Sequence, residues 1–276
     1  MQFTKGHGAG NDFVILEDPD GGLALTPALV AALCDRHRGI GADGVLRVVR
    51  SAKHPEAADG AAEAEWFMDY WNADGTIAEM CGNGVRVFAR YLAAAGLVDG
   101  DSFPILTRAG LVRAVIDGDV IAVDMPAPRL GVASTATISP LAIPGTAVDV
   151  GNPHLVGVLP EGVDLDGLDL TREPGFDPAV FPAGVNVEFV TPLGPLDGFD
   201  AHVRMRVHER GSGETLACGS GALAVAAVTL HDAGLTTGAV AVDLPGGRLV
   251  ATRGDSGWTL AGPAVLVASG ETTLRA

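Results

Sequence analysis

Two stretches of the chain share one pattern: AEMCGNGVRVFARYLAAAGL at residues 78–97 and LACGSGALAVAAVTLHDAGL at residues 216–235. Each has a cysteine, Cys81 or Cys218, before Gly-x-Gly, followed by an apolar run and by Ala-Gly-Leu. The runs are apolar on almost every side, which is typical of a buried helix. Gly96 and Gly234 are suited to end these helices, because glycine readily adopts the left-handed conformation found there. The sequence therefore predicts two buried helices, each preceded by a cysteine.

The similarity extends beyond the cysteine segments. Strand-like runs, EWFMDYWN and AHVRMRVHE, end at the same distance before each cysteine, and glycines and prolines downstream keep the same separation. Further upstream, AGNDFVIL is similar to VGNPHLVGVL. A repeat of this length predicts two domains of one topology. In each we expect a strand, a Gly-Asn turn, a helix, further strands and the cysteine-led helix. Chance similarity in a chain rich in Gly, Ala and Val is the alternative.

The predicted fold class is α+β, with two pseudo-symmetric domains. Each is expected to have a curved, mainly antiparallel sheet around a central helix, the one that follows the cysteine. The alternation of Val203, Met205 and Val207 fits a half-buried strand of such a sheet. The Pro-, Ser- and Thr-rich segment 125–140 is expected to join the domains. We place the N-terminal half at residues 1–128 and the C-terminal half at residues 129–264.

The composition excludes several classes of partner. The 276-residue chain has a formal net charge of −16, which argues against nucleic acid or an anionic membrane, since both attract clustered Lys and Arg. The longest uncharged apolar run, ALAVAAVTL, is too short to cross a bilayer. Three widely spaced cysteines do not make a disulfide framework. We therefore expect a cytoplasmic protein that acts on a small molecule.

A cysteine at the start of a helix is suited to acid and base chemistry. The N–H groups of the first turn stabilise a thiolate, and neighbouring glycines let backbone N–H groups converge on a carboxylate. Two such cysteines on opposite sides of a carbon atom would remove a proton from one face and deliver one to the other. The alternative is that both cysteines only fill the core, as cysteines often do. We assign that packing role to Cys34, which has no glycine beside it.

Other polar residues are candidates for the same site. Glu209 and Arg210 are adjacent at a strand end, where they are suited to an amino group and a carboxylate; a solvated ion pair is the alternative. His154 lies in a turn that resembles the turn at Asn11. The few lysines are not in contexts typical of pyridoxal phosphate attachment. No zinc motif or phosphate-binding loop is present, so we expect neither a cofactor nor a metal.

At these residues the sequence resembles the diaminopimelate epimerase family. The motifs are GAGNDF, NADG followed by CGNG, GNPH, NVEFV and ERGSGETLACGSG, spread in order over nearly the whole chain. The resemblance implies a cofactor-independent isomerase that inverts one α-carbon of LL-2,6-diaminopimelate to give the meso form, in lysine and peptidoglycan precursor synthesis. It also implies an active site in the cleft between the domains, return of the last strand (265–276) to the first domain, and a homodimer.

The resemblance also implies roles for individual residues by matching position. Cys81 and Cys218 are expected to be the two acid/base thiols, and His154 and Glu209 are expected to tune their pKa values. Glu209 is also expected to contact the α-amino group. The remaining substrate contacts that the resemblance implies are Asn11, Asn72, Gly82, Asn83, Asn152, Asn186, Arg210, Gly219 and Ser220.

Two positions depart from the family pattern. Gly44 stands where many relatives have glutamine, and Ala268 stands where some relatives have a tyrosine that supports the dimer. Three alternatives stay open: another thiol-dependent racemase, of the proline or hydroxyproline type; a thiol redox protein; and a non-catalytic protein that binds an anion at the two helix ends. Asn83 and the Glu209-Arg210 pair favour diaminopimelate among these.

Overall fold

The structure, a computed structural model, describes residues 1–274 of the chain. The chain forms two compact units: unit 1 is residues 1–124 with the segment from Gly262 onward, and unit 2 is Met125–Ala261. Strands dominate both units and helices are few, so the predicted α+β class with two domains is confirmed. Of the C-terminal segment 265–276 that the resemblance assigned to the first domain, residues 275 and 276 lie outside the described residues.

Unit 1 is built on a mixed sheet. Its elements in chain order are β1 (Gln2–Gly8), β2 (Asn11–Glu17), α1 (Pro27–Cys34), β3 (Gly44–Arg50), β4 (Trp66–Asn72), α2 (Gly82–Ala94), β5 (Ser102–Thr107), β6 (Gly110–Asp117) and β7 (Val120–Met125), with 3₁₀ turns at Ser51–Lys53 and Ala58–Gly60. Strands β1 and β2 pair antiparallel, as do β3 and β4 and the meander β5–β6–β7. The pairs β2–β3 and β4–β5 are parallel.

Unit 2 repeats this order of pairings. Its elements are β8 (Arg129–Ile138), β9 (Leu141–Asp149), β10 (Pro153–Val158), β11 (Asn186–Pro192), β12 (Ala201–Glu209), β13 (Gly213–Thr215), α3 (Gly219–Asp232), β14 (Gly238–Leu244), β15 (Gly247–Gly254) and β16 (Gly257–Pro263). Strand β9 pairs antiparallel with β10, and β10 pairs parallel with β11. Strand β11 pairs antiparallel with β12, and β12 pairs parallel with β14. Strands β14, β15 and β16 form an antiparallel meander. The two units therefore share one topology, as predicted. The last strand, β17 (Val265–Glu271), pairs antiparallel with β1 in unit 1.

Each cysteine-led helix lies against the sheet of its own unit. Helix α2 contacts β1, β2, β3, β4, β6 and β17, and α3 contacts β9, β10, β11, β12, β14 and β15. One helix can contact so many strands only if the sheet curves around it. Val85, Phe88 and Leu92 of α2 are fully buried, as are residues 222–226 of α3. Each large apolar side chain buried in this way contributes about 1.5–3 kcal/mol to stability.

Both helices end as the sequence predicts. Gly96 and Gly234 have φ values of 67° and 70°, in the left-handed region that glycine adopts without strain. The N–H groups of Leu97 and Leu235 reach back to the carbonyls of Leu92 and Leu230, each at 2.9 Å. This hydrogen-bond pattern is the Schellman motif, which satisfies carbonyls that the helix end leaves without partners.

One expected element is absent from unit 2. We predicted a helix between the Gly-Asn turn and the next strand of each half, and α1 is that helix in unit 1. In unit 2 the corresponding segment, residues 159–185, contains no helix. Its prolines lack helical N–H donors, and Asp164 and Asp177 accept hydrogen bonds from N–H groups two residues ahead, a turn geometry that competes with helix. The segment is held instead by burial of Leu170 and Phe181 in the core.

Candidate active site

Cys81 and Cys218 are the N-cap residues of α2 and α3. Cys81 Sγ accepts a hydrogen bond from Gly84 N at 3.4 Å, and Cys218 Sγ accepts one from Gly221 N at 3.4 Å. Both cysteines have extended backbone, with φ and ψ of −142° and 119° for Cys81 and −118° and 114° for Cys218. The sulfur takes the place of the side-chain oxygen that usually caps a helix. A thiolate at this position is stabilised by the N–H groups and by the positive end of the helix dipole.

Two asparagines adjoin the Cys81 thiol in unit 1. Cys81 Sγ lies 3.5 Å from Asn11 Oδ1, in a geometry in which the thiol donates. Asn83 Nδ2 donates to the same oxygen at 3.3 Å. The amide oxygen of Asn11 therefore accepts from both the thiol and the neighbouring helix residue. This arrangement places three of the predicted site residues, Asn11, Cys81 and Asn83, around one point at the N-terminus of α2.

A buried arginine supports this first turn of α2, and the sequence analysis missed it. The side chain of Arg86 is fully buried. Its Nη2 donates to Asn83 Oδ1 at 2.7 Å, and its Nη1 donates to Gly82 O at 3.2 Å. Burial lowers the pKa of Arg86 to about 10, while the charge of Cys81 acts in the opposite direction. Because Arg86 is still protonated at neutral pH, a buried cation lies near the Cys81 thiol.

A cluster of charged residues fixes Asn11 from the other side. Asn11 Nδ2 donates to Asp43 Oδ2 at 2.8 Å. Arg36 bridges Asp43 and Asp12, with distances of 2.7 Å and 2.8 Å from Nη2 to the two carboxylates, and Lys5 Nζ lies 2.7 Å from Asp12 Oδ2. Burial alone would raise the pKa of Asp12, but hydrogen bonds from Arg36 and Lys5 and the charge of Lys5 hold it well below its ordinary value. Asp12 therefore remains ionised, and Asp43, which shares Arg36 with it, holds the Asn11 amide beside the thiol.

In unit 2 a chain of hydrogen bonds leads to the Cys218 thiol. Cys218 Sγ lies 3.5 Å from Ser220 Oγ, and Asn152 Nδ2 donates to Ser220 Oγ at 3.4 Å. Asn152 Oδ1 lies 3.0 Å from His154 Nε2. Four predicted site residues are thus linked in series, in the order Cys218, Ser220, Asn152 and His154.

This chain of hydrogen bonds continues from His154 to Glu188, a residue that we did not single out from the sequence. His154 Nδ1 lies 2.6 Å from Glu188 Oε1, and both side chains are 0% exposed. Burial raises the pKa of Glu188, and the charge of His154 opposes that rise. Glu188 lies within the quoted motif NVEFV, where it is the only charged residue in the buried part of β11. That one polar residue in an apolar strand was the available signal.

The environment of Cys218 favours the neutral thiol. Burial raises the pKa of Cys218 well above its ordinary value, and the charges of Glu209 and Glu188 raise it further. The hydrogen bonds with Ser220 and from Gly221 N act in the opposite direction. The ionised form of Cys218 therefore depends on its hydrogen-bond donors and on the charge state of nearby carboxyl groups.

Glu209 and Arg210, at the end of β12, are held by hydrogen bonds to neighbouring residues. Glu209 Oε1 accepts a hydrogen bond from Thr215 Oγ1 at 2.5 Å. Arg210 N donates to Asn186 Oδ1 at 2.9 Å, and Asn186 Nδ2 donates to Pro153 O at 3.2 Å. Asn186 therefore links the starts of β10 and β11 to the end of β12. Its place among the substrate contacts stays a prediction, because both ends of its amide already bond to backbone.

Asn72 and Gly44 lie opposite each other in the β3–β4 pairing. Asn72 Nδ2 donates to Thr76 Oγ1 at 3.0 Å. A Cβ atom at position 44 would lie 2.5 Å from Trp71 O and 2.8 Å from a ring carbon of Tyr70, which no side chain tolerates without a shift of the backbone. The departure that we noted at Gly44 is therefore a packing requirement of this chain, and position 44 offers no side chain to a substrate.

Cys34 has the packing role that we expected. It ends α1, is 4% exposed and belongs to a buried apolar cluster of unit 1, and burial raises its pKa to about 12. Within residues 1–274 no group of three or more His, Cys, Asp or Glu side chains is arranged to hold a metal ion. Across the same described residues, no helix has the length and apolar character needed to cross a bilayer.

The comparison with known proteins agrees with these motifs. A sequence model of the family described as diaminopimelate epimerase matches residues 3–130 and 146–273. The chain belongs to the diaminopimelate epimerase family. The diaminopimelate epimerase of Streptomyces coelicolor is 52% identical to it over 98% of this chain and 95% of that protein. The diaminopimelate epimerase of Rhodococcus erythropolis is 50% identical, with the same two coverages. The family predicted from the motifs is thus confirmed, and as a member of an epimerase family the chain is an isomerase.

Solved structures that resemble this epimerase-family chain share its fold. A phenazine biosynthesis protein of Bacillus anthracis superposes with a TM-score of 0.70 at 16% identity, covering 99% of both chains. A hydroxyproline epimerase of Agrobacterium vitis superposes with a TM-score of 0.62 at 16% identity, covering 98% of this chain and 91% of that one. At such identities the likeness establishes the fold alone.

Proposed function

We propose that the chain interconverts LL-2,6-diaminopimelate and meso-diaminopimelate by transferring protons at one α-carbon with two thiols, Cys81 and Cys218. The observation that carries the proposal is the matched placement of these cysteines as sulfur N-caps of α2 and α3. The names of the curated relatives supply the substrate. In the proposed reaction one thiol acts on each side of the α-carbon.

The proposed reaction needs one thiolate and one thiol. The thiolate takes the α-proton, so that a C–H bond breaks and an S–H bond forms. The other thiol gives its proton to the opposite face of the carbon and becomes a thiolate. In the forward and reverse directions the two sulfurs exchange these roles, and no cofactor or metal is required.

The α-proton is acidified by the way in which the carboxylate is held. We assign the reacting carboxylate to the helix N-termini, where Gly82, Asn83, Gly219 and Ser220 present their backbone N–H groups. Negative charge moves onto this carboxylate as the proton leaves, and fixed N–H dipoles stabilise such charge without reorganising. The glycines next to each cysteine let the carboxylate approach the backbone closely.

The remaining site residues bind the rest of the substrate. We assign the α-amino group to Glu209, and the tuning of the thiols to Glu209 and His154. Arg210 is suited to a carboxylate: its Nη1 is anchored on Ala183 O at 3.0 Å, and the planar guanidinium carries further donors for bidentate binding. The other proposed contacts, which include the distal amino-acid end, are Asn11, Asn72, Asn152 and Asn186.

Proton NMR of LL-diaminopimelate in D₂O with the purified, reduced protein tests this function. We expect the meso isomer to form with deuterium at one α-carbon and without any added cofactor. Proline and hydroxyproline serve as control substrates that the protein should leave unchanged. Absence of exchange from diaminopimelate, with folded protein and both thiols reduced, would contradict the proposal.

We also infer that the protein works as a homodimer in the cytoplasm. On β17, the apolar side chains of Val265 and Val267 are 44% and 60% exposed, and Ala268 is exposed beside them; contact with a second copy would remove this apolar surface from water. The cysteine usage fits a reducing compartment. Sedimentation should give a dimer for the wild type and a monomer for Val267→Lys, whereas a monomeric wild type would contradict the inference.

A further inference from the structure

The buried carboxyl group of Glu188 is placed as if to serve the Cys218 thiol. Its Oε1 bonds to His154 Nδ1 at 2.6 Å. The same oxygen lies against the first turn of α3, where a Cβ at Gly221 would be only 2.7 Å away. Its Oε2 is buried without a hydrogen-bond partner among the described residues. Burying an incompletely bonded carboxyl group costs free energy, so packing alone would be served better by an apolar side chain.

We propose that Glu188 is a positioning residue for Cys218: with His154 it shares the proton that sets the direction of the hydrogen-bond chain through Asn152 and Ser220. This inference deepens the proposed two-thiol function and rests on it for its role in catalysis. In this proposal Glu188 contacts neither the thiol hydrogen of Cys218 nor the substrate. It acts on the thiol through the hydrogen bonds of His154, Asn152 and Ser220.

The direction of the chain follows from the donors and acceptors. His154 Nε2 faces the acceptor Asn152 Oδ1 at 3.0 Å, so Nε2 carries a hydrogen atom. His154 Nδ1 and Glu188 Oε1 then share one further proton, either as a neutral imidazole and a carboxylic acid or as an imidazolium and a carboxylate. Both arrangements are neutral overall. Asn152 Nδ2 donates to Ser220 Oγ, which leaves the hydroxyl hydrogen of Ser220 for Cys218 Sγ.

Loss of the proton that His154 and Glu188 share would reverse the donor and acceptor roles along these hydrogen bonds. A neutral His154 that donates from Nδ1 to a Glu188 carboxylate presents a lone pair at Nε2, so the amide of Asn152 must turn its Nδ2 toward the ring. Asn152 Oδ1 then faces Ser220 and draws its hydroxyl hydrogen away from Cys218. A net negative charge also appears near the thiol, and both changes disfavour the Cys218 thiolate.

The titratable groups that face Glu188 come from three elements. They are His154 on β10, Glu209 on β12 and Cys218 at the start of α3. Burial raises the pKa of Glu188, Glu209 raises it as well, and His154 opposes both. The shared proton is therefore retained to higher pH than an ordinary carboxyl group would allow.

Thiol reactivity tests the inference without any substrate. The variants are Glu188→Gln, whose amide can donate to His154 but does not titrate, Glu188→Met, which is apolar and of similar size, and the exposed control Glu161→Gln. The quantity measured is the rate of alkylation of Cys218 by iodoacetamide divided by that of Cys81 in the same reduced protein. Mass spectrometry of the two peptides gives this ratio from about pH 6 to about pH 10.

We expect Glu188→Gln to keep the ratio within about twofold of wild type at neutral pH, and Glu188→Met to lower it about fivefold, as loss of one hydrogen bond would. Wild-type Cys218 should gain reactivity with pH less steeply than a single thiol, because the pair deprotonates, and Glu188→Gln should follow a single titration. An unchanged ratio in Glu188→Met, or an equal loss in both variants, overturns the inference. If Glu188→Met does not fold, identical pH profiles for wild type and Glu188→Gln overturn it.

The alkylation ratio also separates this inference from the proposed function. The expected ratios together with no deuterium exchange from diaminopimelate would leave the positioning role standing and remove the epimerase assignment. If deuterium exchanges into diaminopimelate but the alkylation ratio is the same in wild type and in the Glu188 variants, the epimerase assignment stands and the positioning role is removed. In Glu188→Gln, kcat for diaminopimelate should lose one limb of its pH profile while KM stays within about twofold of wild type.

Discussion

Arg86 donates a hydrogen bond of 2.7 Å to the side-chain oxygen of Asn83, and both residues are buried in the first two turns of α2. The bond joins a buried cation to a residue that we assign to the reacting carboxylate. Arg86 also holds Gly82 O at 3.2 Å, so one side chain fixes two residues that follow Cys81. The first turn after Cys81 is therefore supported from inside the helix, in addition to the charged cluster that holds Asn11.

Replacing Arg86 by methionine removes these bonds while keeping much of the volume. We expect a loss of about 1–3 kcal/mol in unfolding free energy, because Asn83 Oδ1 and Gly82 O lose a buried donor. We expect kcat/KM for diaminopimelate to fall at least about tenfold, because Asn83 is no longer fixed. Urea denaturation and steady-state kinetics measure the two effects. Arg90→Met on the same helix is the control, and equal effects of both variants on activity would contradict the account.

Ser220 is predicted to stabilise the Cys218 thiolate by hydrogen bonding. Ser220→Ala removes one donor, so the pKa of Cys218 should rise and its alkylation at a fixed pH should slow about fivefold. Ser256→Ala, in the exposed turn between β15 and β16, should leave the rate unchanged. Faster alkylation in Ser220→Ala would mean that the hydroxyl shields the sulfur rather than stabilising its ionised form.

The Asp12 carboxylate is predicted to make stability depend on pH. Its folded-state pKa is held below the ordinary 3.8, in spite of burial, by Arg36 and Lys5. A depressed pKa means that Asp12 stabilises the fold above its unfolded-state pKa and that this contribution is lost as the pH falls below that value. Asp12→Asn should therefore be less stable than wild type at pH 7, and the difference should shrink as the pH falls below 3.8.

Urea midpoints measured over this pH range test the Asp12 prediction. Asp166→Asn is the matched control, because Asp166 pairs with Arg204 at an exposed position and exposed pairs contribute little. A difference between wild type and Asp12→Asn that stays constant with pH would contradict the linkage.

Gly44 is predicted to be required by packing. In Gly44→Ala the new methyl group would lie 2.5 Å from Trp71 O, so the backbone pairing of β3 with β4 must shift, at a cost of about 1–3 kcal/mol. Gly254→Ala is the control, because nothing lies within 4 Å of a Cβ at that position. Thermal unfolding should show a clear loss for Gly44→Ala and little change for the control. Equal melting temperatures for both variants would refute the packing argument.

The sequence predicted those features that repeat, and it missed those that differ between the halves. Cysteine, glycine and apolar spacing located α2, α3 and their ends, because these residues have the same local role in both units. The helix predicted for residues 159–185 is absent, because prolines and the turns at Asp164 and Asp177 override the repeat there. Spacing does not report the burial of a single polar side chain, so the sequence analysis singled out neither Arg86 nor Glu188, both of which the structure buries.

Arg86 and Glu188 also distinguish the surroundings of the two cysteines, whose backbone geometry is otherwise matched. Cys81 has the buried cation Arg86 near it, whereas Cys218 has the buried acid Glu188. The position of α3 equivalent to Arg86 is Leu223, which is fully buried. The two units therefore keep the same backbone geometry at these cysteines while the charged residues near them differ, and the structure shows that these charged residues are buried.

The central claim is that the two thiols act on opposite faces of one carbon. The measurement that tests it most directly is deuterium exchange at each α-carbon of LL- and meso-diaminopimelate in D₂O with Cys81→Ser and Cys218→Ser, followed by NMR. Each variant keeps one sulfur, so neither should invert the carbon at more than a small fraction of the wild-type rate. We predict that each variant exchanges the proton of one configuration only, with retention, and that the two variants choose opposite configurations. Exchange of the same configuration by both variants, or inversion by either at the wild-type rate, would contradict the account.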